Sequence, residues 1–476
     1  MDSKKFYITT TLPYVNAEPH IGFALEIVQA DCLARLRRDQ GHNVVFNFGT
    51  DEHGLKIYRK ALENKTDPQA YVDEYAAKFD DLKKALNLSY TNFIRTTDPE
   101  HKKAAQEFWK LCDKNGYIYK KLYKIKYCVG CELEKTDSEL VDGKCPLHPN
   151  QKIEVIDEEN YFFKFSEFQK PLLELYKSHK DFVVPDFRFN EIKRFVEEGL
   201  QDFSISRLKE KLPWGVPVPG DDDHVMYVWF DALINYISTL GWPNDSQNFK
   251  NFWPGVQFAG KDNLRQQSAI WQAMLLAADL PNTKQIVIHG FITIGGQKIS
   301  KSLGNVVSPY DLVEKYGIDA TRYYLLAKVH PFEDSDFTLE KFETAYNADL
   351  ANGLGNTVSR VAKLAENSKF DFEETILPEK LYCEEFTEAL NAYRFDLGIN
   401  NLWLDLSIIN HHLDSEKPWL IEDKYKLEKI LQEDIDNLRI FAHRLKPFLP
   451  ETAETILKQF KGPKITSGKP LFPRIQ

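Results

Sequence analysis

The chain has 476 residues, of which 43% are hydrophobic and 13% aromatic, and a formal net charge of −10. This length exceeds that of one compact domain, so we expect two to four domains. There is no run of about 18 apolar residues and no apolar stretch after the early lysines, which argues against a membrane span and a signal peptide and favours a soluble cytoplasmic protein. The net negative charge argues against a protein that is wrapped in nucleic acid, although a local basic surface can still bind RNA.

Residues 5–51 predict a strand–helix–strand unit. FYITTTLPYV is β-branched and aromatic, which is typical of a strand. GFALEIVQADCLARLRRDQG has apolar residues near helical spacing, Gly41 can end that helix, and HNVVFNFGTDEHG follows as a second strand. Such a unit implies a parallel sheet, in which ligands bind at the carboxyl ends of strands, where PHIG and TDEHG both lie.

Residues from about 117 to 165 are rich in turns and lack a helical period, so we expect an insertion that carries a small metal module. Cys128 and Cys131 form a C-V-G-C motif, and after 13 intervening residues Cys145 and His148 form C-P-L-H. Two such knuckles bring four soft ligands into a tetrahedron, which structural zinc prefers. The alternative is a set of reduced, buried cysteines.

Alternating strands and helices return beyond residue 165. Helical patterns fill about 168–212, HVMYVWFDALINYISTLGW predicts a strand leading into a helix, and VQFAGKD with NLRQQSAIWQAMLLAADL repeats that order. QIVIHGFITIGGQKISKSLGN then predicts a strand and a glycine-rich loop with Lys298 and Lys301. Two ammonium groups on a mobile loop can bind a pyrophosphate leaving group as its charge develops. A solvated basic loop is the alternative.

After about residue 340 the sequence predicts long amphipathic helices and therefore a helical bundle. Four segments carry the pattern: AYNADLANGLGNTVSRVAKLAE, FTEALNAYRFDLGINNLWLDLSIINHHLDS, YKLEKILQEDIDNLRIFAHRLKPF and PETAETILKQF.

His20 and Gly22 stand where the first predicted helix begins. The amides and dipole of a helix N-terminus favour anions, so His20 is a candidate phosphate ligand, and Gly22 would let a nucleotide approach closely. A plain strand-to-helix corner is the alternative.

HIG and KISKS, about 275 residues apart, together resemble the two signature sequences of class I aminoacyl-tRNA synthetases. The resemblance narrows to the methionyl-tRNA synthetase family and covers essentially the whole chain. The similar segments, in family order, are TTTLPYVNAEPHIG, ADCLARLRRDQGHNV, GTDEHGLKI, EENYFFKFSEFQKPLLE, SISRLKEKLPWGVPVPGDDDHVMYVWFDAL and KISKSLGNVVSP.

The resemblance implies a fold and a reaction. The fold would be α/β, with a class I Rossmann-type parallel-sheet catalytic domain, a zinc-knuckle insertion and a C-terminal all-α anticodon-binding bundle. The implied divisions are residues 1–115 and 226–290 for the catalytic domain, 116–225 for the insertion, 291–345 for the KISKS loop and stem-contact region, and 346–476 for the bundle. The reaction would be ATP-dependent activation of methionine and transfer to tRNA(Met), with ATP, Mg2+ and Zn2+ and without DNA or a membrane as partner.

The resemblance also assigns site residues. His20, Lys298 and Lys301 would hold the phosphates in the transition state. The ATP-binding positions would be His20, Gly22, Phe23, Glu26, Gly260, Asp262, His289, Gly290, Ile292, Lys298, Ser300 and Lys301. The amino-acid positions would be Leu12, Tyr14, Asp51, Trp229, Ala232, Tyr236 and Gln267; Asp51 would pair with the substrate ammonium, Trp229 would contact the thioether, and Tyr236 would reach its sulfur.

Three residues, in two segments, depart from the family pattern. Phe23 replaces the second histidine of the first signature, and losing one phosphate-facing donor typically costs roughly 10²–10³-fold in rate. Gln266 and Gln267 replace a phenylalanine–histidine pair after GKDNLR. A methionine tail would leave a pocket-facing Gln267 partly unpaired, at about 1–3 kcal/mol, whereas a more polar amino acid could satisfy it. The alternative is that both glutamines pair with neighbouring protein groups.

The bundle keeps the family's anticodon-binding pattern at Asn356, Arg360, Asn410, Pro418 and Trp419. Asn356 and Arg360 lie four residues apart on one helix face, and Trp419 would stack on an anticodon base. Without the family resemblance, these residues would indicate core packing or a solvated face. Because the sequence stops soon after the bundle, at LFPRIQ, a monomer is expected.

Three functions are therefore compared. The first is a working methionyl-tRNA synthetase. The second is a paralog of this family that activates another, more polar amino acid or serves another acceptor, as Gln266, Gln267 and Phe23 suggest. The third is a tRNA-binding protein without activation chemistry, against which the intact HIG and KISKS segments argue.

Overall fold

The structure is a computed structural model that describes residues 4–131, 133–135, 137–299 and 305–475. The predicted side-chain sites at Ser300 and Lys301 lie outside these ranges, and Lys298 is described by its backbone alone. No helix within these ranges is long and apolar enough to cross a membrane.

The strands of the described residues follow the chain in this order: β1 (Lys5–Thr9), β2 (Asn43–Thr50), β3 (Asn92–Arg95), β4 (Ile118–Cys128), β5 (Leu133–Lys135), β6 (Glu154–Phe163), β7 (Val183–Val184), β8 (Phe203–Ser204), β9 (Ser206–Leu208), β10 (Pro217–Val218), β11 (Asp221–Met226), β12 (Val256–Gly260), β13 (Gln285–His289), β14 (Ile292–Ile294), β15 (Gln297–Lys298) and β16 (Ser335–Asp336).

The α-helices of the same residues are α1 (Ile21–Asp39), α2 (Leu55–Glu63), α3 (Pro68–Asp80), α4 (Leu82–Ala85), α5 (Pro99–Lys114), α6 (Gln169–Ser178), α7 (Asp186–Glu197), α8 (Val228–Ala232), α9 (Asn235–Ser238), α10 (Ser246–Phe252), α11 (Trp271–Ala277), α12 (Pro309–Tyr316), α13 (Ile318–Ala327), α14 (Leu339–Ala345), α15 (Asn356–Ser368), α16 (Glu384–Asn391), α17 (Phe395–Glu416), α18 (Lys424–Leu445) and α19 (Pro450–Gln459).

The chain divides into two compact units. The sheet unit comprises Met1–Pro19, Gly41–Asp81 and Tyr90–Ile288, and the helical unit comprises His20–Gln40, Leu82–Ser89 and His289–Gln476. Helix α1 therefore belongs to the helical unit, although the strands before and after it belong to the sheet unit. The five-part division that the resemblance implies stays a prediction.

A six-stranded sheet in the order β3-β2-β1-β12-β13-β7 forms the centre of the sheet unit. β1 pairs in parallel with both β2 and β12, so the predicted parallel sheet is confirmed. Its core is largely aromatic: Phe108 stacks on Trp271 at 5.8 Å between ring centroids, and Phe230 and Trp242 meet Phe108 edge-on. Such burial stabilises the unit by about 25 cal/mol per Å² of apolar surface removed from water.

The segment predicted as an insertion forms an antiparallel sheet in the order β5-β4-β6-β8, built on the long antiparallel pair of β4 and β6. A second small sheet, β10-β11-β9, follows in the chain. Strand β4 ends at Cys128 and β5 begins at Leu133, which places the first cysteine knuckle in the turn between these two strands.

The helical unit contains the predicted C-terminal bundle, α15 to α19. The segment FTEALNAYRFDLGINNLWLDLSIINHHLDS forms two helices, because Tyr393 adopts a left-handed conformation with φ of 58° between α16 and α17. Arg322 of α13 is fully buried and donates to the carbonyls of Leu86, Pro447 and Phe448. It also pairs with Asp31 of α1 at 2.9 Å, which ties α1 to the turn before α19.

Candidate active site

Helix α1 begins at the predicted phosphate ligand. His20 is its N-cap, and the His20 Nδ1 accepts a hydrogen bond of 3.1 Å from the amide of Gly22. Because Nδ1 is the acceptor, the proton of the neutral imidazole is on Nε2, the nitrogen that can donate to a phosphate. The ring of Phe23 lies beside the His20 ring, with centroids 4.3 Å apart.

The first signature lies next to the segment that follows the second. The amide of Ile21 donates to the carbonyl of Val307 at 3.0 Å, so the start of α1 contacts the chain six residues beyond position 301. Lys301 and Ser300 lie outside the described residues, so the expected convergence of His20 and Lys301 stays a prediction.

Glu26 and His289 meet within the helical unit, at positions that the family resemblance places around adenosine. His289 Nε2 and the Glu26 carboxylate are 2.8 Å apart, and both side chains are largely buried. Gly290 follows His289. A Cβ at position 290 would lie 2.2 Å from the backbone of Glu333, so the close approach of these two backbone segments requires glycine. Ile292 is buried in β14.

Asp336 anchors the base of the lysine loop, a role that the sequence does not reveal. Its carboxylate accepts from the Gly296 amide at 2.8 Å and from the Thr293 hydroxyl at 2.9 Å. These hydrogen bonds hold the pKa of Asp336 below its ordinary value. Lys298 lies in β15 opposite Thr293 of β14, so Asp336 fixes the strand pair from which the loop departs.

In the sheet unit, Asp51 follows β2 and pairs with the backbone of Tyr14 in an isolated parallel bridge. The loop around Asp51 is held by its neighbours: Glu52 accepts a 2.6 Å hydrogen bond from Arg95, and the His53 Nδ1 lies 2.6 Å from the Asp231 carboxylate. Asp51 itself is buried, whereas Leu12 and Tyr14 are half-buried.

Asp231 is the centre of a buried chain of polar groups. Its second oxygen lies 2.9 Å from His101 Nε2, and His101 Nδ1 lies 2.9 Å from the hydroxyl of Ser238. Burial alone would raise the pKa of Asp231, but His53 and His101 outweigh it and lower the pKa to about 2. The sequence shows these residues only as members of TDEHG and VWFDAL, and no spacing rule joins them.

The two departing glutamines lie in a π-helix, Gln266–Ile270, directly before α11. Gln267 Nε2 donates to the Tyr236 hydroxyl at 2.7 Å, and both side chains are buried. The carboxamide oxygens of Gln266 and Gln267 accept no hydrogen bond among the residues that the structure describes. Among those residues the Gln267 nitrogen therefore has a protein partner and its oxygen has none, and whether Gln267 faces the substrate stays a prediction.

The other predicted positions of this unit lie in helix α8, at the end of strand β12 and in the turn that follows it. Trp229 is half-buried in α8, Ala232 is buried at the end of that helix, and Gly260 ends β12. Asp262 is exposed in the short turn after β12.

The cysteine knuckles converge as predicted. Cys131 Sγ lies 3.2 Å from His148 Nδ1 and 3.4 Å from Cys145 Sγ, and Cys128 Sγ lies 3.8 Å from His148 Nδ1. A tetrahedral zinc with bonds of about 2.0–2.3 Å places its ligand atoms roughly 3.3–3.8 Å apart, so these residues fit the metal. Gly130 is required beside them, since a Cβ there would lie 2.5 Å from the His148 ring.

Four of the five predicted anticodon residues meet in the bundle. The Arg360 guanidinium lies 3.4 Å from the Asn410 side-chain oxygen and 5.9 Å from the centre of the Trp419 ring. Trp419 is 51% exposed, and Pro418 before it is buried. Asn356 is exposed at the start of α15, one turn before Arg360.

Comparisons with known proteins identify the class. The sequence model of the tRNA synthetases class I (M) matches residues 6–153 and 148–362. The chain is 37% identical to the methionine–tRNA ligase of Thermotoga maritima, covering 99% of this chain and 80% of that protein. It is 42% identical to the methionine–tRNA ligase of Thermosynechococcus vestitus, covering 96% and 90%.

A solved structure agrees over the full length. Mycobacterium tuberculosis methionyl-tRNA synthetase in complex with methionyl-adenylate matches with a TM-score of 0.91 and 33% identity, covering 99% of this chain and 100% of that one. The fold and the sequence thus define a class I aminoacyl-tRNA synthetase. Within that class, the chain belongs to the methionyl-tRNA synthetase family.

Proposed function

We propose that this chain activates methionine with ATP and transfers it to tRNA(Met) in the cytoplasm. In the first step the methionine carboxylate attacks the α-phosphorus of ATP, the bond to the β-phosphate breaks, and pyrophosphate leaves. In the second step a hydroxyl of the terminal adenosine of tRNA attacks the acyl carbon and AMP leaves. The full-length match to a synthetase that carries methionyl-adenylate is the observation that carries the proposal.

We assign binding of the ATP phosphates to residues of the helical unit. The His20 Nε2–H, oriented by the Gly22 amide, would donate to a phosphate, while Lys298 and Lys301 would balance the charge that develops on pyrophosphate. Gly22, Phe23 and Ser300 would lie nearby. Little bond chemistry falls to side chains, so positioning and charge stabilisation account for most of the rate. Mg2+ accompanies ATP and supplies positive charge to its phosphates.

Adenosine recognition is assigned to Glu26, His289, Gly290 and Ile292 of the helical unit; the roles of Gly260 and Asp262 stay predictions of the family resemblance. The 2.8 Å contact of Glu26 with His289 supports this assignment, because it fixes a carboxylate and an imidazole in one orientation. Side chains that are already held in one orientation lose little conformational entropy when they bind the hydrogen-bonding edge of a base.

The amino acid is assigned to Leu12, Tyr14, Asp51, Trp229, Ala232, Tyr236 and Gln267 of the sheet unit. The contact between Gln267 and Tyr236 supports methionine. Because Gln267 Nε2–H donates to the Tyr236 oxygen, the hydroxyl hydrogen of Tyr236 must point elsewhere, and a thioether sulfur would be a suitable acceptor for it. Asp51 would pair with the substrate ammonium.

Recognition of tRNA is assigned to Asn356, Arg360, Asn410, Pro418 and Trp419. The half-exposed Trp419 ring beside the Arg360 guanidinium supports stacking on a single-stranded base, with Arg360 and the two asparagines at its edges. The cysteine knuckles would bind structural zinc, since four protein ligands leave no open position on the metal. A monomer stays our prediction.

Pyrophosphate–ATP exchange with each amino acid in turn tests the proposal. We expect exchange with methionine. A second candidate, activation of a more polar amino acid, is favoured by the unpartnered carboxamide oxygens of Gln266 and Gln267 among the described residues, and exchange with such an amino acid alone would support it. Exchange with no amino acid, together with tRNA binding, would leave a binding protein without activation chemistry.

A further inference from the structure

The π-helix Gln266–Ile270 is bonded by two side chains that the functions assigned so far do not use. Gln272 Nε2 donates to the backbone carbonyl of Gln267 at 2.8 Å. The Tyr176 hydroxyl donates to the carbonyl of the next residue, Ser268, at 2.7 Å. Both side chains lie outside the π-helix, since Tyr176 belongs to α6 and Gln272 to α11. Two successive carbonyls of the π-helix are thus held from two different elements.

The Gln272 side chain is itself held by four hydrogen bonds. Its nitrogen donates to the Thr283 hydroxyl at 3.0 Å as well as to the Gln267 carbonyl. Its oxygen accepts from the Asn282 side chain and from the Thr283 amide, each at 3.1 Å. These four bonds use the full hydrogen-bonding capacity of a carboxamide. Because Gln272 is fully buried and fully paired, the orientation of its carboxamide is fixed.

The partners of Gln272 belong to the central sheet. Asn282 and Thr283 lie just before β13, and the Thr283 hydroxyl donates to the side chain of Gln257 in β12 at 2.8 Å. These two strands are neighbours in the sheet. Through Gln272, the backbone of Gln267 is therefore tied to two paired strands rather than to a surface loop.

The position of Gln267 matters because of the contact that its side chain makes. Gln267 Nε2 donates to the Tyr236 hydroxyl at 2.7 Å. The Tyr236 backbone is also held, since its carbonyl accepts a hydrogen bond of 2.8 Å from the Tyr7 hydroxyl. A hydrogen bond that lengthens by about 0.5 Å from 2.7 Å reaches the limit of the usual range. The contact between Gln267 and Tyr236 thus depends on buried hydrogen bonds that fix each of the two residues.

We propose that Gln272 and Tyr176 are positioning residues that maintain the preference of this enzyme for methionine. The inference rests on the proposed function, in which Gln267 and Tyr236 contact the substrate side chain. By fixing two carbonyls of the π-helix, the positioning residues keep the Gln267 nitrogen at the Tyr236 hydroxyl, which orients that hydroxyl toward the thioether sulfur. π-Helices are rare and occur frequently at functional sites, which agrees with a role in substrate selection.

Two variants and a control test this role. Gln272→Met keeps the length of the side chain and removes its donor to the π-helix, and Tyr176→Phe removes a single hydroxyl and keeps the ring. Gln257→Met is the matched control. Gln257 is 1% exposed, bonds the same Thr283 hydroxyl, and makes no side-chain hydrogen bond to the π-helix within the described part of the chain. We measure kcat and KM by pyrophosphate–ATP exchange for methionine and for norleucine, which has a methylene in place of the sulfur.

We expect Gln272→Met and Tyr176→Phe to lower the preference for methionine over norleucine by roughly two- to tenfold, and Gln257→Met to leave it unchanged. This factor corresponds to the loss of one neutral, buried hydrogen bond. In a Gln267→Leu background, Gln272→Met should lower the preference no further, because the bond that Gln272 positions is already absent.

A purely structural role would lower kcat/KM equally for the two amino acids and leave the preference unchanged. An unchanged preference in both Gln272→Met and Tyr176→Phe therefore overturns the inference. So does an equal loss of preference in the control Gln257→Met, or a further loss when Gln272→Met is added to Gln267→Leu.

A failure of the proposed function gives a different result. If wild type shows no methionine-dependent exchange, activation of methionine is wrong, and amide hydrogen exchange of residues 266–271 then decides the positioning role. Faster hydrogen exchange in Gln272→Met and Tyr176→Phe than in wild type and Gln257→Met supports that role. Equal hydrogen exchange in all four proteins overturns it.

Discussion

Replacing Gln267 by leucine tests whether the Tyr236 hydroxyl recognises the substrate sulfur. In the wild type, Gln267 Nε2 donates to that hydroxyl at 2.7 Å, and the two side chains are 1% and 2% exposed. The change removes the donor that orients the hydroxyl while keeping a side chain of similar size. Without the Gln267 donor, the hydroxyl hydrogen of Tyr236 can turn away from the substrate.

The magnitude follows from one neutral, buried hydrogen bond, which contributes about 0.5–1.5 kcal/mol. We therefore expect kcat/KM for methionine to fall roughly two- to tenfold. Norleucine has a methylene in place of the sulfur and accepts no hydrogen bond, so its kcat/KM should change little. The preference for methionine over norleucine should fall by the same factor.

Pyrophosphate exchange with both amino acids is the assay. Gln266→Leu is the matched control, because the neighbouring Gln266 makes no side-chain contact with Tyr236 among the hydrogen bonds of the described residues. Gln267→His should restore the preference, and it should make that preference depend on pH between about 6 and 7, since imidazole titrates there and a carboxamide does not. An equal loss for methionine and norleucine would show that Gln267 acts only through packing.

Four further predictions concern other parts of the chain. Phe23→His should raise methionine-dependent exchange by roughly tenfold or more, because it adds a donor beside His20, and an unchanged rate would argue that position 23 does not face phosphate. Cys131→Ala should lower zinc bound per chain, measured by mass spectrometry, whereas the exposed Cys383→Ala should not; equal zinc in both variants would refute the site. Burial raises the pKa of Asp319 to about 6 from 3.8, so its ionisation costs folding stability progressively as pH rises from about 4 to 6, and Asp319→Asn should raise the free energy of unfolding by about 1–3 kcal/mol at pH 8 and little at pH 4, as measured in urea. Trp419→Ala should weaken tRNA binding by about tenfold or more and leave exchange unchanged, and parallel losses in both would contradict an anticodon role.

The predictions that the structure confirms came from patterns within short segments of the sequence. The βαβ unit follows from hydrophobic periodicity around α1, and the cysteine knuckles follow from two short motifs, C-V-G-C and C-P-L-H, each with a two-residue spacer. Both features depend on residues that are close together in the sequence, where backbone geometry allows few conformations.

Contacts between distant segments could not be predicted in the same way. The bond from Ile21 to Val307 and the pairing of Glu26 with His289 join residues more than 250 positions apart, and only the family resemblance pointed to them. Arg322 would have been expected on a surface, because arginine is rarely buried unless its charge is paired. The helix break at Tyr393 was missed because positive φ at a tyrosine depends on packing and has no local signal.

The π-helix that carries Gln266 and Gln267 has an evolutionary consequence. A π-turn holds one residue more than the α-helical turn it replaces, and each residue of a helix corresponds to a rotation of about 100°. Deleting a single codon within Gln266–Ile270 would therefore change the direction of the side chains within that turn while leaving β12 and α11 in place. Substrate preference in descendants of this enzyme can thus diverge through the deletion of one residue, because the flanking strand and helix keep their positions.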